Sequence, residues 1–212
     1  MYRNFENLVE DKRQRILEAC IREFADKGYE NASTNAIVKD AKISKGILFH
    51  YFGNKKNLFL YIVKYCLEYL ITGFKKYPLL KSNDIFDRLL ELGVIKLQIY
   101  NTSPNISRVI LQAFMNAPED IRAEIQDKYQ QISNQFMPAI FKDIDTSKFR
   151  NGVKPEKALE VVMLFLEALQ GKYIKQYQGR EQELLGDVDK IMEEYKEYIE
   201  VLKYGIYGST PG

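Results

Sequence analysis

Apolar residues recur every third to fourth position along almost the whole chain, and no stretch alternates cleanly with a period of two. That regularity restricts the fold, because side chains share a helix face at the first spacing and a strand face only at the second. The chain is therefore expected to be all-α. Ile16, Cys20 and Phe24 show the pattern most cleanly, joined by Leu17 and Ile21. They predict a first helix over about 8–27, with Gly28 placed to close it. Ser33 or Thr34 can cap a short second helix through Ala41. After a break of only a few residues at Lys42-Ile43, Ser44 caps a third helix that ends near Phe52, where Gly53-Asn54 turns the chain. A fourth helix runs from about Lys55 to Lys76, ahead of Pro78.

Downstream, Asp84 can cap a helix reaching about Tyr100, and another follows Pro104. Pro118-Glu119-Asp120 opens a third, with proline and acids where the helix dipole favours them. Pro138 should kink or end that helix. Residues 143–154 read as a polar connection, Pro155-Glu156 starts a helix to about Gln178, and the last helix covers roughly 187–204 before a frayed tail over 208–212. The expected organisation is a three-helix head over 1–54, a connecting helix over 55–76 and a larger helical body over 77–212, with about nine helices.

Charged residues make up 28% of the chain and the net charge is +2, so any affinity for nucleic acid must be local. Cys20 and Cys66 lie inside apolar patterns at no metal-ligand spacing and are expected to be buried small hydrophobes. The polar, charged segment from Met1 to Arg15 predicts no secretory leader. The most apolar run, Val161 to Leu169, is too short for a bilayer and is interrupted by Glu167. A cytoplasmic protein with no membrane partner is expected.

Two short helices joined by a tight turn and preceded by a longer one are the minimum scaffold of a helix-turn-helix, here centred on residues 33–52. In that motif the second short helix enters the major groove and the first crosses the backbone. Local charge agrees: no acid falls between Asp40 and Glu68, while Lys42, Lys45, Lys55, Lys56 and Lys64 all do. A solvated basic face would look the same on charge alone. The third helix sharpens the reading. Leu48 and Phe52 share one face and can pack on Ile37, Ala41 and Ile43. The other faces carry Lys45, Gly46, Ile47, Phe49, His50 and Tyr51, too aromatic a load for all to turn inward. Against a groove, Lys45 and His50 can donate to base edges or phosphate, Phe49 and Tyr51 can lie on sugar or thymine methyls, and Gly46 lets the backbone approach. Lys55 pairs its charge with a positive helix end, a phosphate clamp. His50 is the single histidine and has no nucleophile or orienting acid near in sequence; a core or solvent-facing role is its alternative.

The run from Thr34 to Phe59, TNAIVKDAKISKGILFHYFGNKKNLF, resembles the DNA-binding signature of the TetR (tetracycline-repressor-type) family. Ile16-Leu-Glu-Ala, Phe24 and Gly28-Tyr29 resemble that family's first helix, so the likeness covers about residues 10–65. It implies phosphate contact by Thr34, groove or backbone contacts by Ser44, Lys45, Gly46, Phe49, His50 and Tyr51, and phosphate contact by Lys55. Two positions depart. Lys42 stands where the family usually has glycine; a positive φ there would cost lysine ~1 kcal/mol, or the side chain adds a phosphate contact. Phe49 is usually tyrosine, so a hydroxyl contact is lost.

Past Pro78 the resemblance falls to helix count and length. The helix from Pro155 is apolar nearly all round, and the last carries a stripe of Val188, Ile191, Met192, Tyr195, Ile199 and Leu202. Val162, Leu166, Leu169, Ile191, Tyr195, Ile199 and Leu202 are thus expected to form a four-helix interface with a second copy, a homodimer suited to double-stranded DNA with a palindromic operator. The middle helices mix aromatics with amides, and Tyr100, Gln112, Phe114, Phe136 and Phe165 are candidates for an effector pocket, although a plain helical core needs the same residues. The body over 77–212 is accordingly assigned effector binding and dimerisation. The expected function is a DNA-binding transcriptional regulator, a repressor released by a small apolar or aromatic effector whose identity is unknown. A constitutive DNA-binding dimer without a ligand is the alternative. A small helical enzyme is a further one, but Glu167 and Glu193-Glu194 have no histidine or cysteine partner at catalytic or metal spacing. No catalytic residue, metal ligand or cofactor is assigned.

Overall fold

The computed structural model describes residues 2–76 and 82–207, and within them all side chains except those of residues 74–76, 100, 137, 139, 181, 182 and 185. The turn at Pro78 and the tail over 208–212 lie outside the described residues, as does the side chain of Tyr100. Among the described residues the regular structure is entirely helical: α1 (Arg3–Glu6), α2 (Glu10–Asn31), α3 (Thr34–Asp40), α4 (Lys45–Phe52), α5 (Lys55–Lys76), α6 (Ile85–Thr102), α7 (Pro104–Asn116), α8 (Glu119–Phe141), α9 (Pro155–Tyr177), α10 (Glu181–Gly186) and α11 (Val188–Tyr207). The nine helices expected from periodicity are present, with ends shifted by a few residues. α1 and α10 are additional, and both are too short to show a period. Pro138 falls inside the last turn of α8, where it removes the N–H that would bond to Asn134 O, and the helix ends three residues on.

The chain packs as two compact units, each made of two stretches of sequence. The first joins the residues up to Gly73 with Ile99–Asn134. The head expected over 1–54 therefore does not stand apart: α7 lies along α2, and Val109, Ala113, Ile121 and Ile125 share one core with Ile16, Phe24, Ile37, Leu48, Phe52 and Phe59. Gly28 shows how closely α2 and α7 approach. Its φ of 65° and ψ of −174° lie in a region essentially reserved for glycine, and a Cβ there would come within 3.0 Å of Gln112 Oε1. The helix breaks at Gly28 as expected, then regains one turn through Asn31. Arg108 Nη1 adds an ion pair to Asp26 at 3.0 Å. Cys20 and Cys66 are buried free thiols of this core, and burial pushes both well above the usual thiol range.

The second unit joins Phe74–Gln98 with the chain from Gln135 onward. Its most demanding feature is polar. Asp84 is buried and caps α6, accepting N–H bonds from Phe86 at 2.9 Å and Asp87 at 3.3 Å, and Lys148 Nζ reaches its other oxygen at 3.2 Å. Burial opposes the charge, but the Lys148 ammonium and the two N–H groups outweigh it and hold the carboxyl below its usual range. One turn on, the buried Arg88 guanidinium donates to Ser82 O at 2.6 Å, to Ile140 O at 2.8 Å and to Lys142 O, so it caps the C-terminal end of α8.

The same unit holds the residues expected to face a partner, and it covers them to different degrees. Val162, Leu169 and Ile199 are buried by their own chain, and Leu166, Ile191 and Leu202 are half-buried. Tyr195 is half-buried too; its hydroxyl donates to Leu89 O at 3.1 Å, and Met192 and Tyr195 close over Gly93 of α6. The apolar stripe of α11 thus faces α6. What remains outside on α9 and α11 is Val161, Leu164 at 59% exposure, Val201 at 72% and Tyr204.

Candidate nucleic-acid interface

Local sequence fixes the two short helices of the head by their ends. Ser33 Oγ accepts from Ala36 N–H at 3.3 Å and Ser44 Oγ from Ile47 N–H at 3.2 Å, so a serine caps each. Of the two candidates at α3 it is Ser33 that caps, and Thr34 becomes the first helical residue. α3 closes with Lys42 N–H on Lys39 O at 3.3 Å and Ile43 N–H on Val38 O at 3.0 Å, the paired bonds of a Schellman cap. That cap needs a left-handed residue at Lys42, whose φ is indeed 53°. Arg15 of α2 pins the same corner, donating from Nε to Ala41 O at 2.8 Å. Lys42→Gly should relieve the strain and raise stability by ~1 kcal/mol. The gain would read as a Tm higher by roughly 2–4 °C. An unchanged or lower Tm would mean that the lysine side chain offsets the strain.

These caps set α4 with one face in and one out. Ile37, Ala41, Leu48 and Phe52 are buried, and Ile43 is half-buried against them. Ser44, Lys45, Gly46 and His50 are exposed, while Thr34, Phe49, Tyr51 and Lys55 are half-buried. The Lys45 ammonium lies 5.9 Å from the Phe49 ring centre. Tyr51 is packed more than its place in the pattern suggested, its ring 5.6 Å from that of Phe5. Ile47 is exposed on α4 and belongs with the outward set, available to thymine methyls. It was legible only as part of the helix's surplus apolar load.

The basic window is partly occupied by partners the sequence does not place. Lys55 donates to Glu30 O at 2.9 Å and lies 5.2 Å over the Tyr29 ring. An ammonium has three protons, so a phosphate would share it with that carbonyl. Lys56 pairs with Glu124 of α8 at 2.6 Å, and Lys64 with Glu68 at 3.5 Å. Lys42 and Lys45 are exposed.

The five candidate effector residues do not share a unit. Gln112 and Phe114 belong to the first, where Gln112 Oε1 accepts from Asn116 Nδ2 at 2.8 Å and abuts Gly28, while Phe114 meets Tyr129 edge-on at 5.2 Å. Phe136 and Phe165 belong to the second, with Phe165 5.6 Å from Tyr198. The first unit also has an open cleft of about 370 Å³ between α2, α5 and α7, lined by Gln14, Arg22, Tyr65, Tyr69 and Asn105 among others. Gln112, Phe114, Phe136 and Phe165 do not line it. Among the described residues no helix is long and apolar enough to cross a membrane, and no group of three or more histidine, cysteine and acidic side chains is placed to hold a metal ion.

A serine-capped helix pair whose second member turns Lys45, Gly46, Ile47 and His50 outward, braced by a long helix behind, defines a helix-turn-helix DNA-binding regulator. Residues 16–62 match the model of bacterial regulatory proteins, tetR family, and residues 83–207 that of a tetracyclin repressor-like C-terminal domain. The chain belongs to the tetR family of transcriptional regulators. The biofilm operon icaADBC HTH-type negative transcriptional regulator IcaR of Staphylococcus aureus (strain Newman) is 27% identical over 156 residues, 74% of this chain and 81% of that protein. Its Staphylococcus epidermidis counterpart is 25% identical over 158 residues, 73% and 80% of the two chains. Among solved structures, a TetR family transcriptional regulator from Chloroflexus aurantiacus has a TM-score of 0.60 at 21% identity over 98% of each chain. FadR from Bacillus subtilis, in complex with stearoyl-CoA, has a TM-score of 0.57 at 16% identity over 91% of this chain and 98% of its own.

Proposed function

We propose that this regulator is a homodimeric repressor that sits on a palindromic operator in the cytoplasm through α3 and α4, and leaves it when a small apolar or aromatic effector binds. The observation that carries the DNA half is the outward face of α4: Lys45, Gly46, Ile47 and His50 stand clear while Leu48 and Phe52 anchor the helix from behind. Thr34, Ser44, Phe49, Tyr51 and Lys55 complete the contact surface, with Lys42 as a further cation at its corner. Repression is supported by the likeness to IcaR, a negative regulator. Dimerisation is supported by the apolar residues left outside on α9 and α11, Val161, Leu164, Val201 and Tyr204, which extend the half-buried Leu166, Ile191, Tyr195 and Leu202 as a partner-facing surface. The effector is supported by the aromatic and amide residues of the middle helices and by the stearoyl-CoA carried by FadR, a protein of the same fold.

The test starts from a duplex selected out of a random library for tight binding to the full-length protein. Binding should show inverted half-sites and should weaken steeply with salt. Lys45→Ala and His50→Ala, both at exposed positions, should each weaken it by roughly 5- to 150-fold, the worth of one good base contact, with the thermal melt unchanged. Effector candidates, apolar and aromatic small molecules, are then scored by release of that duplex. Failure to enrich any duplex, or wild-type affinity in both variants, would overturn the docking.

A further inference from the structure

Residues 2–6 precede the stretch that matches the family's DNA-binding model, yet they are built into the head. The first residues coil into one turn, with the N–H groups of Phe5 and Glu6 bonded to Tyr2 O at 2.9 and 3.0 Å. Phe5 has 0% exposure in an otherwise polar segment. Its ring lies 4.8 Å from Phe52, 5.5 Å from Tyr61 and 5.6 Å from Tyr51. Tyr2 extends the cluster, 4.7 Å from Tyr61 and 5.9 Å from Phe52, and its hydroxyl donates to Asn57 O at 3.4 Å. Two rings from the start of the chain thus clasp the C-terminal end of α4 to the beginning of α5. The other rings against Tyr51, those of His50 and Phe52, come from α4 itself. Among the described residues Phe5 is the one ring that ties Tyr51 to another element.

We infer that Phe5 is a positioning residue for operator recognition, holding Tyr51 and the C-terminal end of α4 in the orientation that DNA requires. α4 has eight residues and only two fully buried anchors, Leu48 and Phe52, so its outer side chains depend on neighbours for their setting. Without Phe5 the Tyr51 ring regains other staggered rotamers, and binding must then select one of them again. The inference rests on the DNA-binding reading above and adds a part of the chain that the family signature does not contain.

A double-mutant cycle on the selected duplex, with a random duplex of equal length as reference, separates positioning from bulk stability. Phe5→Ala should weaken binding to the selected duplex about tenfold and binding to the random duplex by less than about twofold. Phe5→Leu, which refills most of the space, should recover most of the loss. In a Tyr51→Ala background, Phe5→Ala should add less than about twofold, because the ring it positions is gone. Wild-type affinity in Phe5→Ala, or the same loss with and without Tyr51, would overturn the inference. Should Phe5→Ala melt below the assay temperature, Phe5→Val, which keeps part of the apolar fill and still removes the ring against Tyr51, serves in its place: a few-fold loss that Tyr51→Ala suppresses supports the inference, and no loss overturns it. A wild-type protein that cannot tell the two duplexes apart would instead bring down the DNA-binding reading itself.

Discussion

Phe52→Ala should lower the stability of the unit that carries the DNA-binding surface by about 3–5 kcal/mol, the range for emptying an aromatic from a packed core. Phe52 ends the outward-reading helix, yet its ring is buried within 6.3 Å of four others, those of Tyr2, Phe5, Tyr51 and Tyr61. No single neighbour can collapse into the space, because each is also held elsewhere: Tyr2 by Asn57, and Tyr61 so enclosed that burial, reinforced by Glu6, pushes its hydroxyl up to about 12. Chemical denaturation followed by circular dichroism checks this, and a loss below about 1 kcal/mol would show that the cluster repacks. Operator binding should fall with it, because the cavity opens directly behind α4.

Arg88→Ala should be the most damaging single change in the second unit, at about 3 kcal/mol. Truncation strands three carbonyls at once, those of Ser82, Ile140 and Lys142, the last two at the C-terminal end of α8 and just past it. Arg88→Lys should recover little. A single ammonium nitrogen cannot reproduce the planar fork that reaches Ser82 and Ile140 together. A lowered melting transition that spares operator binding at low temperature is the expected signature. A melt within about 1 °C of wild type would show that water satisfies those carbonyls.

How much of this was open to sequence reasoning depended on how local the cause was. Ser33 and Ser44 act on amides three residues away, Gly28 and Gly53 act on their own backbone, and the positive φ at Lys42 was signalled by the glycine that the resembled family usually has there. All of these were legible. Phe5 was not, because two rings three residues apart in a polar stretch are too few to set a period, and its partners lie 46 to 56 residues away. The lysine window was read correctly as acid-free in sequence, but Glu124 and the Glu30 carbonyl reach it only through the fold. Periodicity found the apolar stripes of α9 and α11 and could not say what covers them. Val162, Leu169 and Ile199 are covered by their own chain, and the exposed Leu164 and Val201 lie outside the stripes that periodicity picked out. The pocket residues were chosen on composition, which does not say what a side chain touches: Gln112 abuts Gly28.

Because each unit is assembled from two separated stretches of chain, order of synthesis matters for this protein. The segment that reads DNA leaves the ribosome ahead of its own cover, because the inner face of α2 stays exposed until α7 and the front of α8 have followed. The intervening residues, Phe74–Gln98, in turn wait for the chain from Gln135 onward. A nascent chain is therefore left with both of its cores half-built until late in translation. The two halves of the gene cannot be exchanged with those of a relative at the helix-turn-helix boundary without also carrying over the later helix that seals it.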